Sequence, residues 1–569
     1  MDVALSIAAI YAIKLLVDAL SLVADSGESM QFRADVFLYL SLAGATLLVA
    51  VIVQSASALA RTAQGLKVGE YVDSQIHDRA IALDLGFYES PQYFDSLYRA
   101  RQAGIQRPAK VIDSILLSFK ATLFLAAVLV MIVGIDWRIA PALLLAVIPI
   151  FTVRMRYTER LYSWQRERVQ MERRASYLDW LMTSSHHAKE VRIGGLGIHL
   201  RKAYGAIRSR INIEQISIEK WRAVTELMAS SVGTLVFVGA TAILVSDAVA
   251  GNQSIGNLVL FVLLFRRAES SGREFVSNMA QLYDHRLYLN QLFEFLDVQA
   301  RIRRPTSPQS VLKKGRNSKL VFEEVEFVYP GSKRPALSGI NMSVAPGQIV
   351  ALVGANGSGK TSLVKLMARL YDPTGGRVKL GDVDVRGFDP DEYRRLFSIV
   401  FQDYARYSDT VRENIRFGNL DASMNDGSVE RAAKLAGAES FISSLPKGYE
   451  TRLTRMFDEG EELSIGQWQK LALARAFYPT SRFIVMDEPS SALDPQAEFE
   501  LFQDFRSRIG DRGALIISHR LSTVRMADYT YVLNDGRIIE HGRHDDLVEA
   551  KGHYADLFER QGRYYRNGV

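Results

Sequence analysis

Cysteine is absent from the 569 residues, which excludes disulfides, thiolate metal sites and a cysteine nucleophile throughout the chain. Internal repeats and low-complexity tracts are absent as well. The length is therefore not explained by repetition, and at roughly 100–200 residues per domain it calls for at least two folding units. Basic residues are scarce in three short connections, Asp25–Asp35, Ile135–Arg138 and Ala250–Ser254. They are dense elsewhere, above all from Arg154 to Arg210.

What is present divides at about the middle. Before Asn290 there are six apolar stretches: Val3–Ala24, Val36–Ala60, Ile115–Gly134, Ile139–Val153, Val224–Val249 and Ile255–Phe275. A bilayer core of ~30 Å needs about 20 helical residues, so each is near spanning length. Buried helices of a large soluble protein fit one such window, not six separated by strongly basic connections. The excess of basic loops places Arg154–Arg222 on the cytoplasmic side and the sparse connections opposite. The formal net charge of +6 follows from this topology, and nucleic acid is not expected as a partner.

The long basic connections, Arg61–Lys110 and Arg154–Arg222, lack linker composition and keep helical periodicity, so they are expected as helices running on past the membrane. Within the first, Pro91 opens an amphipathic piece, Gln92–Arg101, whose Tyr93, Phe94, Leu97 and Tyr98 form one face. On the first span Lys14 and Asp18 share a helical face and are expected to pair or to face a wet cavity. On the sixth, Arg266 lies about 15 Å beyond Gly256 at ~1.5 Å per residue, near the bilayer midplane. Arg266, Arg267, Glu269 and Arg273 are candidates to line a solvated cavity for an acidic or amphiphilic cargo. The alternative is pairing of Glu269 with Arg266 and Arg273 on a water-facing helix.

A charged stretch with Pro and Ser, Arg301–Ser318, breaks the pattern. The expected organisation is an all-α membrane domain of six helices with long cytoplasmic extensions over 1–296, a linker over 297–318, and an α/β domain over 319–569. In the last, strand-like runs at Leu320–Val325, Gln348–Val353, Phe483–Met486 and Gly513–Ser518 alternate with helical patterns, as in a parallel α/β sheet.

Gln348–Val353 is followed at once by Gly354, Ala355, Asn356, Gly357, Ser358, Gly359, Lys360, Thr361 and then a helical run beginning at Ser362. Strand, glycine loop and helix stand in the order that a phosphate-binding loop requires. Backbone N–H groups close around phosphate oxygens at a helix N-terminus. Lys360 then neutralises the β and γ phosphates of ATP, and Thr361 ligates Mg²⁺. A second motif, Phe483–Glu488, is an apolar strand ending in two carboxylates. Asp487 is expected to hold Mg²⁺ and Glu488 to polarise the attacking water, with His519 near the γ-phosphate.

With Leu463-Ser464-Ile465-Gly466-Gln467 added, the chain resembles an ATP-binding cassette exporter, a half-transporter with six spans and one nucleotide-binding domain, over nearly its whole length. The resemblance implies that Tyr329 stacks on adenine, that Gln402 links Mg²⁺ to the membrane domain, and that Ser491–Asp494 follow the catalytic Glu488. It also implies that Ser464, Gly466 and Gln467 contact ATP across a dimer, most economically a homodimer with two equivalent sites. ATPase activity, alternating access and an integral position in the bacterial inner membrane follow, with the nucleotide-binding domain in the cytoplasm. Helices such as Gln92–Arg101 and Gly194–Tyr204 would couple the two domains.

Two features depart from the family pattern. Ile465 stands where glycine is usual, with ATPase activity expected to be retained. The first span begins almost at Met1, so its helix is expected to be incomplete. In motif style Phe401–Tyr407 and Leu463–Lys470 are most similar to exporters of lantibiotic-like and other small modified peptides. Without cysteine, no cysteine-peptidase step accompanies export. Lipid flipping, drug efflux and siderophore uptake remain alternatives on the same frame. A soluble cassette ATPase or a membrane regulator that binds ATP without turnover are readings of a different class.

Overall fold

The computed structural model describes residues 2–26, 30–90, 97, 100, 107–311, 318–422, 427–489, 495–503, 505–518 and 520–566. It separates into two compact units, Met1–Ile81 with Phe94–Val298, and Ala82–Tyr93 with Gln299–Val569.

The first unit is helical: α1 Asp2–Ser26, α2 Met30–Ala82, α3 Arg107–Ile135, α4 Ala140–Thr183, α5 Gly197–Val249 and α6 Ile255–Leu296. At ~1.5 Å per residue the 53 residues of α2 extend about 80 Å, far more than a ~30 Å bilayer core requires. The long basic connections are thus continuous with the spans, as their periodicity predicts. Large apolar side chains such as Phe37, Leu59, Val130 and Leu235 are exposed on these helices, which suits lipid rather than water.

Among the described residues four helices are long and apolar enough to cross a membrane: α1, α2, α3 and α5. The expected fourth and sixth spans lie on α4 and α6, where the apolar run stops early. Arg154 and Arg156 end it on α4, and Arg266, Arg267 and Glu269 interrupt it on α6. Both helices nevertheless pack against protein. Arg154 pairs with Glu226 at 2.9 Å, and α6 packs Leu260, Phe261, Leu264 and Phe265 with Phe124, Val128 and Ile132 of α3.

The N-terminus of α6 is capped twice. Ser254 accepts from Asn257 N–H at 3.2 Å, and Asp18 accepts from Gly256 N–H at 2.9 Å. Two of the orphan donors at that helix end are thereby satisfied. Lys14 stands 4.0 Å from the same Asp18, so the expected pair on α1 forms and also serves a neighbouring helix.

The second unit carries two sheets. In the antiparallel one, β1 (Leu320–Phe327) lies between β2 (Leu337–Val344) and β4 (Gly375–Leu380), with β5 (Val383–Asp384) beyond β4. The other sheet has β3 (Ile349–Val353), β6 (Phe397–Val400), β7 (Phe483–Asp487), β8 (Gly513–Ile517), β9 (Tyr529–Asn534) and β10 (Arg537–Gly542) in the order β10-β9-β3-β8-β7-β6. All of its pairings are parallel except β9 with β10. Every residue of β3, β7 and β8 is buried, which explains why these strands read as unbroken apolar runs. The antiparallel sheet was not anticipated, because the bulged register of β1 at Phe322–Phe327 breaks the alternation that marks a two-sided strand.

Residues 299–311, expected as linker, are tied into this unit: Gln309 N–H donates to Gly387 O at 3.0 Å, and Val311 is buried with β1 and β2. A one-turn helix, Leu85–Tyr88, also belongs here. It precedes the expected Gln92–Arg101 piece, which apart from Leu97 and Ala100 lies outside the described residues.

Candidate nucleotide site

Sheet register assembles the site. Leu352 of β3 pairs with Ile517 of β8, and Ile517 pairs with Asp487 of β7. The ends of β3 and β7 are therefore level and two strand spacings apart, about 10 Å at ~4.8 Å per strand. The loop leaving β3 spans that gap and enters helix α7, Lys360–Met367. Thr361 Oγ1 then donates to Asp487 Oδ2 at 3.2 Å, across 126 residues of sequence. Ligand clefts at the carboxyl ends of parallel strands are the general expectation for such sheets.

The loop needs its glycines. Gly357 and Gly359 have φ of +80° and +108°, and a Cβ on Gly359 would lie 2.8 Å from Ala336 O. Gly354 has no room either, since a Cβ there would stand 2.1 Å from Leu533 O and 2.8 Å from Ser358 Oγ. Ser358 Oγ is buried with no hydrogen-bond partner among the described residues. Lys360, 7% exposed, donates its ammonium to Gly354 O at 2.8 Å and Ala355 O at 2.9 Å.

The cleft, about 760 Å³, is lined by Tyr329, Asn356, Gly357, Gly359, Lys360, Thr361, Ser362, Gln402, Asp487 and Glu488. Burial pushes the Asp487 carboxyl above its ordinary value, against the hydrogen bond from Thr361, and pushes the Lys360 ammonium below its own. Glu488 has φ +50°, held by its N–H donating to Ile517 O at 2.9 Å. Gln469 Nε2 donates to the Glu488 carbonyl at 3.3 Å. A non-glycine residue fixed in the left-handed region at the end of a buried strand is strain of the kind stored at functional sites. Gln402 Nε2 donates to Glu488 Oε2 at 3.2 Å.

Tyr329 shares a hydrogen bond with Ser362 Oγ at 2.9 Å and meets Phe327 edge-on at 4.7 Å. The hydroxyl of Thr361 and the carboxylates of Asp487 and Glu488 are hard oxygen donors converging beside the phosphate loop. That set fits Mg²⁺, as the free Ser358 hydroxyl and the glycine cradle fit phosphate.

Ser464, Gly466 and Gln467 are not among the described residues lining this cleft. They open helix α8, Ile465–Phe477, with Ser464 and Gln467 forming a capping box. Ile465 is 60% exposed, and its carbonyl accepts from the Tyr404 hydroxyl at 3.0 Å. His519 and the loop Ser491–Asp494 lie outside the described residues. In the first unit, Arg266 lies over Phe237 at 5.4 Å and Arg267 over Phe124 at 5.6 Å. Glu269 pairs with Arg273 at 3.0 Å, so only half of the expected Arg–Glu–Arg arrangement forms.

Sequence reasoning missed Arg334, Pro335, Ala336, Asp535 and Gly536, which also line the cleft. Asn534-Asp535-Gly536 is a hairpin signal that locates the β9–β10 turn. Nothing local shows that Gly536 N–H reaches Ser358 O at 3.0 Å.

A phosphate loop, a strand ending in paired carboxylates and a bundle of apolar helices on one chain define an ATP-hydrolysing membrane protein. Residues 337–491 match the family model described as ABC transporter. The chain is 29% identical to the subtilin transport ATP-binding protein SpaT of Bacillus subtilis, over 87% of this chain and 80% of that one. It is 43% identical to an ATP-dependent lipid A-core flippase of Methylobacillus flagellatus, over 42% of this chain and 41% of the relative. A bacterial Atm1-family ABC exporter solved with ATP bound shares the fold, with TM-score 0.82, 24% identity, and coverage of 98% of this chain and 96% of that chain. Residues 337–491 are thus an ABC transporter ATP-binding domain, which implies ATPase activity, and over nearly its whole length the chain is similar to exporter-type half-transporters.

Proposed function

We propose that two copies of this chain hydrolyse Mg-ATP between them to carry a small or modified peptide out of the cytoplasm of a bacterium, across its inner membrane. The observation that carries the peptide reading is the extent of likeness. The match to SpaT, a protein named for subtilin transport, runs over 87% of the chain. The closer match to the lipid flippase covers 42%, no more than the second unit supplies. Cargo is chosen by the membrane half, so the long match is the informative one.

The position of the signature residues supports the two-copy reading. Ser464 is exposed and is not among the described residues lining the cleft at its own phosphate loop, so a nucleotide that touches both would take them from different chains. An isologous interface yields two equivalent sites from one sequence. Tyr329 supplies a ring for adenine, and Gly354, Asn356, Gly357, Ser358, Gly359, Thr361 and Ser362 surround the phosphates. Lys360 transfers its two hydrogen bonds from loop carbonyls to phosphate oxygens. Thr361, Gln402 and Asp487 hold Mg²⁺, which when bound neutralises charge developing on the transferred phosphoryl group. Glu488, fixed by Ile517 and Gln402, orients water, with His519 at the same phosphate.

ATP that binds the closed dimer better than the open one by about 5.5 kcal/mol moves a 1:99 population to 99:1. Arg266, Arg267, Glu269 and Arg273 form the proposed cargo contact, and two guanidinium groups held over phenylalanine rings favour an acidic or amphiphilic cargo. ATPase activity in proteoliposomes, titrated with lantibiotic-type peptides, lipids and drugs, tests the assignment. Peptide-stimulated turnover with peptide accumulation in inverted vesicles is expected. Stimulation by lipid alone refutes it.

A further inference from the structure

Glu89 follows the one-turn helix Leu85–Tyr88 and directs both carboxylate oxygens into the second unit. One accepts from Lys365 Nζ at 2.6 Å, the other from the Tyr371 hydroxyl at 2.7 Å. Lys365 lies on α7, the helix that starts at Lys360, and its ammonium stands 5.5 Å from the centroid of the Tyr329 ring and 6.0 Å from that of Tyr371. Tyr371 meets Tyr329 edge-on at 5.4 Å and 83°. One carboxylate thus holds a cation on the face of Tyr329 and a second ring against its edge. The turn is seated closely: a Cβ on Gly86 would lie 2.9 Å from Tyr371 Cε1. Its other end is fixed as well, with Asp84 accepting from Ile302 N–H at 3.0 Å.

We propose that Glu89 is a positioning residue for the adenine side of the nucleotide site, so that the seating of residues 84–89 sets the affinity for ATP. The inference rests on the reading of Tyr329 as the adenine-stacking ring. A tyrosine that must offer one face to a base loses rotamer freedom on binding, and Lys365 and Tyr371 hold that ring in advance. Glu89 keeps them there. Because α2 ends at Ala82, any movement of that helix end that draws Glu89 away releases Lys365. By linkage, bound ATP strengthens the seating of the turn by the same factor. The Lys365 side chain is 17% and the Glu89 side chain 37% exposed, so the ion pair is partly screened and its effect is moderate.

The test uses the full-length protein in lipid nanodiscs. Glu89→Gln keeps an acceptor for Tyr371 and removes the charge that holds Lys365, and Lys365→Gln breaks the same contact from the other side. The readouts are KM for ATP, kcat at saturating ATP, and the inhibition constant of inorganic tripolyphosphate, which has phosphates and no adenine. Each variant is expected to raise KM about three- to tenfold, the effect of freeing one or two side chains, with kcat and tripolyphosphate inhibition unchanged. In a Tyr329→Leu background the Glu89→Gln effect should vanish. A Glu89→Gln KM within twofold of wild type overturns the proposal, as does full additivity with Tyr329→Leu or an equal loss of tripolyphosphate affinity. If Tyr329→Leu by itself leaves KM unaltered, the stacking reading falls and takes the proposal with it.

Discussion

Adding one methyl group to the phosphate loop separates steric exclusion from backbone strain. At Gly354 a Cβ would stand 2.1 Å from the Leu533 carbonyl oxygen. Ordinary contact begins above about 3 Å, so either the loop or the end of β9 must retreat by about 1 Å. Leu533 is paired across β9 with Ile538 and is buried, so the loop is the part that yields. Misplacing a binding group by about 1 Å costs on the order of 100-fold in rate, or about 2.7 kcal/mol. At Gly357 the geometry differs: φ is +80° and nothing lies within 4 Å of the added Cβ. The cost there is left-handed strain of about 1–2 kcal/mol, present with or without nucleotide and therefore felt as stability. We expect Gly354→Ala to lower kcat/KM for ATP about 100-fold and, since the clash is present without nucleotide as well, to lower the melting temperature too. Gly357→Ala should lower the melting temperature by a few degrees and leave kcat/KM within about threefold. Steady-state ATPase and thermal unfolding of the two variants in nanodiscs measure both. Equal loss of kcat/KM in the two variants, or a Gly354→Ala enzyme within threefold of wild type, refutes the account of the loop as a cradle shaped by close approach.

Other substitutions test the remaining parts of the site. Glu488→Gln should reduce turnover at least 100-fold, the low end for removing a general base, while nucleotide binding measured by fluorescent ATP analogue persists; wild-type turnover would remove Glu488 from the chemistry. Asp487→Asn should raise the melting temperature at pH 7 and abolish Mg²⁺-dependent ATPase. The carboxyl's folded-state value is raised above its unfolded one, so the wild-type protein loses stability as pH climbs through the raised value, and the gap between variant and wild type should close toward pH 4 and below. A gap that persists there contradicts burial as the cause. Ile465→Gly should change turnover by less than about threefold, because Ile465 is exposed and contacts its surroundings through its carbonyl; a large rise shows that the isoleucine impairs the site.

Some of this architecture was legible because its signals are local. The phosphate loop is a strand, a run of glycines and a helix start within about twenty residues, and β7 is an apolar run with two acids at its end. Apolar stretches and basic loops announced the helical half. Other features depend on which residues meet. The apolar runs of α4 and α6 are interrupted by charges, and that Arg154 of α4 meets Glu226 on α5 is something sequence spacing does not reveal. The helical turn Leu85–Tyr88 was not anticipated, because Gly86 and Glu89 carry no signal until Tyr371 and Lys365 lie beside them.

The sequence by itself determined that Gly354–Thr361 has the pattern of a phosphate-binding loop, that the protein's N-terminal half is a set of long apolar helices, and that no step uses a thiol. Only the tertiary structure decided that Asp487 meets Thr361, that Tyr329 is braced by Lys365 and Tyr371, and that Ser464 caps a helix and is not among the described residues lining the cleft. The reason is physical. Glycine conformations, hydropathy and strand composition act over a few residues, whereas sheet register brings together groups more than a hundred residues apart, as it does Thr361 and Asp487, and it is such meetings that form the cleft.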